Sequence, residues 1–169
     1  GGRSVTIRAW RSDVVGNSGF VIPVYFLDTD LPENDPRDRQ LTSKLYGGDE
    51  RNRLCQEAVL GIGGVRLLRE LGFSELQRFH LNEGHAALLT LELLEERRRA
   101  RGCNEIQPDE IAEVRRQCVF TTHTPVTAGH DRFPLELARD ILGDRPEFRH
   151  QQVFCCDSKL NLTFVALNM

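Results

Sequence analysis

Phe79-His80-Leu81-Asn82-Glu83-Gly84-His85 and, some 40 residues later, Val119-Phe120-Thr121-Thr122-His123-Thr124-Pro125-Val126-Thr127-Ala128-Gly129-His130-Asp131 decide how this sequence is read. Each begins as a short apolar strand and breaks into polar residues. Each is followed by a segment of helical character, at residues 84–101 and 134–142. Strands that alternate with helices build an α/β protein whose sheet is largely parallel. In such sheets ligands bind beyond the carboxyl ends of the strands. The pattern therefore brings Asn82, Glu83, His85, Thr122, His123 and Thr124 toward one edge, although Asn82 and Glu83 read equally well as a helix cap and its first turn.

Working outward, residues 77–81 and 118–121 are the two strands, and residues 108–117 form a helix that opens on Pro108 with Asp109 and Glu110 in its first turn. Residues 50–71 read as one long helix, with Leu54, Ala58, Ile62, Val65 and Leu68 on its apolar side and Gly72 as its stop. Gly61-Ile62-Gly63-Gly64 lies inside that pattern and follows no strand. It reads as a site of close helix packing through Gly61 and Gly64, since each helical glycine costs about 1 kcal/mol relative to alanine. Upstream, residues 4–10 and 20–27 read as strands, the second apolar enough to be buried on both faces. Residues 28–39 form a polar loop and residues 40–46 one or two helical turns. Downstream, residues 143–157 read as loose chain and residues 159–169 as a helix.

The chain has 169 residues, with 22 basic and 25 acidic side chains and a net charge of −3. That balance excludes binding to nucleic acid through a large positive field. No apolar run is long enough to span a bilayer, and no signal-like segment opens the sequence. Five scattered cysteines, with no C-x-x-C pair, read as reduced thiols of a cytoplasmic protein. Arg97, Arg98, Arg99 and Arg101 read as a solvated helix end, with a polyanion patch as the minor alternative. His80 points into a strand and reads as core. His80, Glu83 and His85, with His123 or His130, have the side chains of a metal site but neither spacing of the zinc-hydrolase helix motifs. A metal-dependent hydrolase is thus the weakest of the readings, and no metal ligand is assigned.

HLNEGHAALLTLELL (80–94) and VFTTHTPVTAGHDRFP (119–134) closely resemble the bacterial α-glucan (glycogen and maltodextrin) phosphorylase family, as does the stretch from Pro23 to Gly72. KLNLTFVALNM (159–169) looks like the continuation of the same pattern. The resemblance implies a Rossmann-like, mostly parallel sheet with flanking helices, part of the N-terminal domain of a B-type glycosyltransferase fold. It implies that residues 1–169 are a partial N-terminal domain, without the glycine-rich loop that opens it, and that the second domain lies outside this sequence. Family members convert an α-1,4-glucan and phosphate to glucose 1-phosphate with pyridoxal phosphate, held by a lysine of the second domain. Lys44 and Lys159, the two lysines here, stand in the wrong context for that role. This chain is accordingly expected to hold no cofactor, to be inactive alone and to self-associate through uncovered apolar surface.

By the same resemblance His123 is the catalytic histidine that contacts the transferred glucosyl unit. Asn82, Glu83 and His85 with Thr122 and Thr124 line the substrate side. Residues 45–50 match a gating loop, and residues 122–131 match the loop lining the acceptor side. Thr127 departs from the proline usual there. The alternative is a non-catalytic sugar-binding or structural remnant of the same fold.

Overall fold

The computed structural model describes residues 3–45, 47–124, 126 and 130–169. The chain divides into two compact units, residues 3–47 and residues 48–169. The smaller unit is built on an antiparallel hairpin of β1 (Arg8–Val15) and β2 (Val21–Asp28), paired from Arg8 opposite Asp28 to Val15 opposite Val21. Its turn is closed by the Gly16 amide on the Phe20 carbonyl at 2.8 Å, with Gly19 at φ 81°. The polar segment that follows is held by side chains. Asn34 bonds both main-chain groups of Thr6, at 2.8 and 2.7 Å, and the Thr29 carbonyl at 2.8 Å. Arg3 pairs with the buried carboxylate of Asp38 at 2.6 Å.

This unit corrects the reading of residues 20–27 as a strand buried on both faces. Cross-strand pairs Trp10–Phe26 and Val14–Ile22 line one face, and all four side chains are exposed. The first strand also lies later than expected, at Arg8–Val15 rather than residues 4–10. Among the described residues before Tyr46, helical character is confined to a 3-10 turn at Asp38–Gln40.

The larger unit carries the core. The long helix of residues 50–71 is present but contains a defect: α1 (Glu50–Ala58) passes through a π-helical turn at Val59–Gly63 into α2 (Gly64–Glu70). Gly61 marks a close approach of two backbones. A Cβ on Gly61 would stand 2.7 Å from the Leu89 nitrogen and 2.9 Å from the Leu88 carbonyl carbon. The helix thus approaches the backbone at the start of α3 (Leu89–Arg101). Gly64 has open space and takes no part in that contact, contrary to the expected pairing of the two glycines. A 3-10 turn at Gly84–Ala86 precedes α3, and Gly102 ends it at φ 68° with the Cys103 amide on the Arg98 carbonyl.

α4 spans Pro108–Gln117, and its Glu110 carboxylate accepts from the Gln107 amide at 2.8 Å. Arg97 and Arg101 reach across to Glu113 and Glu110 of α4, and Arg98 and Arg99 pair with Glu95. The arginine run therefore ties α3 to α4 as well as completing the helix end.

Sheet structure corrects the largely parallel expectation. Among the described residues the parallel sheet is the single pair β3 (Phe79–Asn82) and β4 (Cys118–Thr121), in register Phe79–Cys118 to Asn82–Thr121. The third sheet is antiparallel, with β7 (Lys159–Asn161) between β5 (Arg132–Pro134) and β6 (Cys155–Cys156). α5 (Leu135–Leu142) leads into a segment that is not loose: it holds a 3-10 turn at Pro146–Arg149 and α6 (Gln151–Phe154). Residues 159–169 are not one helix either. They form β7 and then α7 (Leu162–Asn168), capped by the Asn161 side chain on the Phe164 amide at 3.1 Å. Leu81, Leu88, Leu91, Leu94, Phe133, Phe154, Leu160 and Leu162 are fully buried, so α3, α7 and the small sheets share one core. The fold is α/β, with one parallel pair and two antiparallel sheets among the described residues.

Candidate functional site

The parallel pair positions the site. Along β3 the side chains alternate, with Phe79 and Leu81 buried and His80 and Asn82 exposed. His80 is therefore on the outer face, corrected from core, and its Nε2 lies 2.8 Å from Thr121 Oγ1. One register step on, at the carboxyl end, Asn82 Oδ1 meets His123 Nε2 at 3.2 Å. These two exposed side chains are 41 residues apart in sequence, at the end of β3 and just past the end of β4, and meet because the two strands run in the same direction.

Glu83 follows with an unusual backbone, φ 60° and ψ −177°. That region is close to glycine-only and is held by surrounding structure rather than by local preference. Its amide donates to the Thr121 carbonyl at 2.8 Å. Its buried carboxylate turns inward and accepts from the His123 amide at 2.5 Å, the Thr124 amide at 3.0 Å, Thr124 Oγ1 at 3.1 Å and Thr122 Oγ1 at 2.9 Å. The His123 amide is the main cause of a pKa held below the ordinary carboxyl value.

His85, two residues further, joins a different set. Its Nδ1 lies 2.9 Å from Arg53 Nη2, 3.3 Å from Asp131 Oδ2 and 3.6 Å from Glu57 Oε1. Arg53 also bonds Asp131 at 2.8 Å and faces Glu57, one helical turn along α1, at 3.3 Å. Asp131 and then Glu57 raise the His85 pKa to about 9, against desolvation and Arg53. Burial pushes Glu57 up to about 8, and Asp131 is held well below the usual carboxylate range by His85 and Arg53 despite its own desolvation. Glu57, His85 and Asp131 offer ligand atoms within 4.8 Å of one another, but Arg53 already brings a positive charge to both carboxylates. The metal-type set considered in the sequence does not form: the Glu83 carboxylate faces Thr122, His123 and Thr124 while His80 bonds Thr121.

Arg53 and Glu57 were not singled out from sequence. Their signal was an Arg–Glu pair at i, i+4 beside the apolar stripe of α1, which reads as an ordinary surface ion pair until Glu57 proves to be buried. His130 Nδ1 contacts Thr163 Oγ1 at 2.8 Å. Pro125 and residues 127–129, including the Thr127 departure, lie outside the described residues, as does Tyr46 of the proposed gating loop.

Lys44 and Lys159 are both exposed, Lys159 in β7 just after the turn at Asp157 and Ser158. Neither is enclosed in the water-excluded setting that a Schiff-base lysine of pyridoxal phosphate requires. No described helix is long and apolar enough to cross a membrane.

No family model matches the chain. It is 43% identical over 128 residues to a glycogen phosphorylase of Mycobacterium tuberculosis (strain ATCC 25618 / H37Rv), covering 73% of this chain and 15% of the relative. It is 44% identical over 118 residues to a maltodextrin phosphorylase of Thermococcus litoralis, covering 68% of this chain and 13% of the relative. A glycogen phosphorylase of Aquifex aeolicus is 35% identical over 118 residues, covering 69% of this chain and 16% of the relative. The chain thus spans about one sixth or less of the length of these curated relatives.

Proposed function

We propose, from the premise that this chain belongs to the α-glucan phosphorylase family, that it supplies the glucosyl and acceptor side of a glucan-phosphorylase cleft. In this reading residues 1–169 are part of the family's N-terminal, Rossmann-like domain. The substrates of the complete enzyme are an α-1,4-glucan and phosphate, and the product is glucose 1-phosphate. His123 is the catalytic residue. Asn82, Glu83, His85, Thr122 and Thr124 form the substrate-side set, and the setting is cytoplasmic.

The observation that carries the proposal is the meeting of Asn82 and His123 at the carboxyl ends of the parallel pair, both side chains exposed. Two polar groups delivered there by separate strands make a crevice-edge site of the kind α/β sheets use for ligands. Chemically, an imidazole held by an amide oxygen can hydrogen-bond a sugar hydroxyl in a fixed direction. The adjacent main-chain carbonyl can favour positive charge that develops on the sugar as the glycosidic bond breaks. A contact that strengthens as charge develops accelerates the reaction rather than merely tightening binding.

The test uses a chimera in which this chain replaces the matching stretch of the Mycobacterium tuberculosis glycogen phosphorylase. The chimera is expected to release glucose 1-phosphate from maltodextrin and phosphate. His123→Ala is expected to lower kcat about 10²-fold, with a much smaller change in KM. An unchanged kcat with a raised KM would make His123 a binding residue only. The chain alone is expected to release no glucose 1-phosphate and to form no Schiff base with pyridoxal phosphate. The exposed face of Trp10, Val14, Ile22 and Phe26 is expected to drive self-association. A single monomeric species in sedimentation velocity at high protein concentration would contradict it.

A further inference from the structure

We infer that Glu83 is a positioning residue, which fixes the main chain of Thr122, His123 and Thr124 and so sets the direction in which His123 faces the sugar. This rests on the reading of His123 just given and refines the place of Glu83 within it.

Four donors from three consecutive residues converge on the one carboxylate: two amides and two hydroxyls. An ionised carboxylate offers about four acceptor positions. Three of the donors meet Oε1 and one meets Oε2, so most of that acceptor capacity is used within the chain. The side chain is buried, whereas Asn82 before it and His123 opposite are exposed. The grip is also reciprocal, because the Glu83 amide donates to the Thr121 carbonyl while its side chain accepts from the three residues that follow Thr121.

Backbone geometry gives an independent observation. Glu83 stands at φ 60° and ψ −177°, where glycine would be at ease and a glutamate is not. A glycine there would relieve the strain and lose the carboxylate. A strained glutamate is explained if the side chain is what the position requires. Glu83 falls on the inward side of the β3 alternation, and its carboxylate meets the main chain of the turn that carries His123. Asn82, still in the regular strand, keeps its outward direction and reaches the imidazole. The two neighbours thereby hold His123 at two points, Glu83 by the main chain and Asn82 by the ring.

The test begins on this chain itself. In Glu83→Gln, one acceptor oxygen becomes an amino group that opposes the donors. Amide hydrogen exchange at His123 and Thr124 is expected to accelerate about tenfold or more, the loss of a hydrogen bond to a charged acceptor, while exchange in α3 stays unchanged. Equal exchange at His123 and Thr124 in the two proteins would overturn the inference. If Glu83→Gln does not fold, the double variant Thr122→Val, Thr124→Val removes two donors and leaves the carboxylate on its two amides. Smaller acceleration at the same two amides is then expected, and none would overturn it. In the phosphorylase chimera, Glu83→Gln is expected to lower kcat with KM held within about twofold. A raised KM with unchanged kcat would show Glu83 touching glucan and overturn the positioning role. A chimera inactive with Glu83 intact counts against the phosphorylase reading, while the exchange result alone decides what Glu83 holds.

Discussion

At Gly61 and Gly64 one helix makes opposite demands of the same residue type. A methyl group on Gly61 would strike backbone atoms of Leu88 and Leu89, which cannot move aside as a side-chain tip can. Gly61→Ala is expected to destabilise the chain by about 1–3 kcal/mol, read as a lower urea midpoint. Gly64 has helical dihedrals and open space, so Gly64→Ala is expected to stabilise by about 0.5–1 kcal/mol. Loss of stability in both variants would mean that the packing is tighter at Gly64 than described. Glu57 and His85 give the fold a pH dependence. Both hold protons in the folded chain at pH values where the unfolded chain has released them, Glu57 up to about 8 and His85 up to about 9. Folded-state proton excess makes stability fall as pH rises. Asp131 acts in the opposite sense, its contribution being lost only when acid takes the solution below its ordinary carboxyl range. The melting temperature is therefore expected to be higher at about pH 5.5 than at about pH 8.5, by roughly 5 °C. Glu57→Gln, neutral at every pH, should flatten that slope. A melting temperature that rises over this interval would refute the assignment. The glycine pattern was legible as close packing in the sequence. Which glycine makes the approach was not, because that depends on where a π turn falls. The Arg53–Glu57–His85–Asp131 cluster was invisible for a related reason, since three separate segments contribute to it.

Elements were easiest to read where local signals and tertiary packing agree. α4, opened by Pro108 and an acidic first turn, begins and ends at the residues expected. The long helix was right in extent, and its start is fixed by Asp49, whose side chain accepts from the Asn52 amide at 2.8 Å. Asp49→Ala is expected to cost about 1 kcal/mol, measurable as lost helicity and a lower unfolding midpoint. No change would show that the cap is redundant. β2 was misread because a continuous apolar run has the same pattern whether it is enclosed by a sheet or left on an open hairpin. Residues 159–169 were misread because a strand of three residues is too short to show alternation before α7 begins.

Over the whole molecule, the α/β class was legible and the sheet topology was not. Pattern marks strands, but pairing is settled by contacts distant in sequence. The alternation of strands with helices suggested parallel order where β5, β6 and β7 are antiparallel. Division into two units has a measurable signature. Trp10, the sole tryptophan, lies in the smaller unit with about half of its surface exposed. Its emission is expected to be red-shifted in the native chain and to follow the hairpin, while far-ultraviolet circular dichroism follows the helices. Two transitions at different urea concentrations would report the units separately, whereas coincident transitions would show cooperative unfolding.

The hairpin register also places Pro23 opposite Asp13 within an unbroken ladder. Proline has no amide proton to give, and a ladder that nevertheless runs past it puts the imide nitrogen on the outer rim of β2. An incoming strand would find a missing donor there, so Pro23 acts as a gatekeeper against fibril growth along an apolar hairpin. Replacing it with valine should shorten the lag before thioflavin T fluorescence appears on agitation, in a protein whose folded stability is little altered.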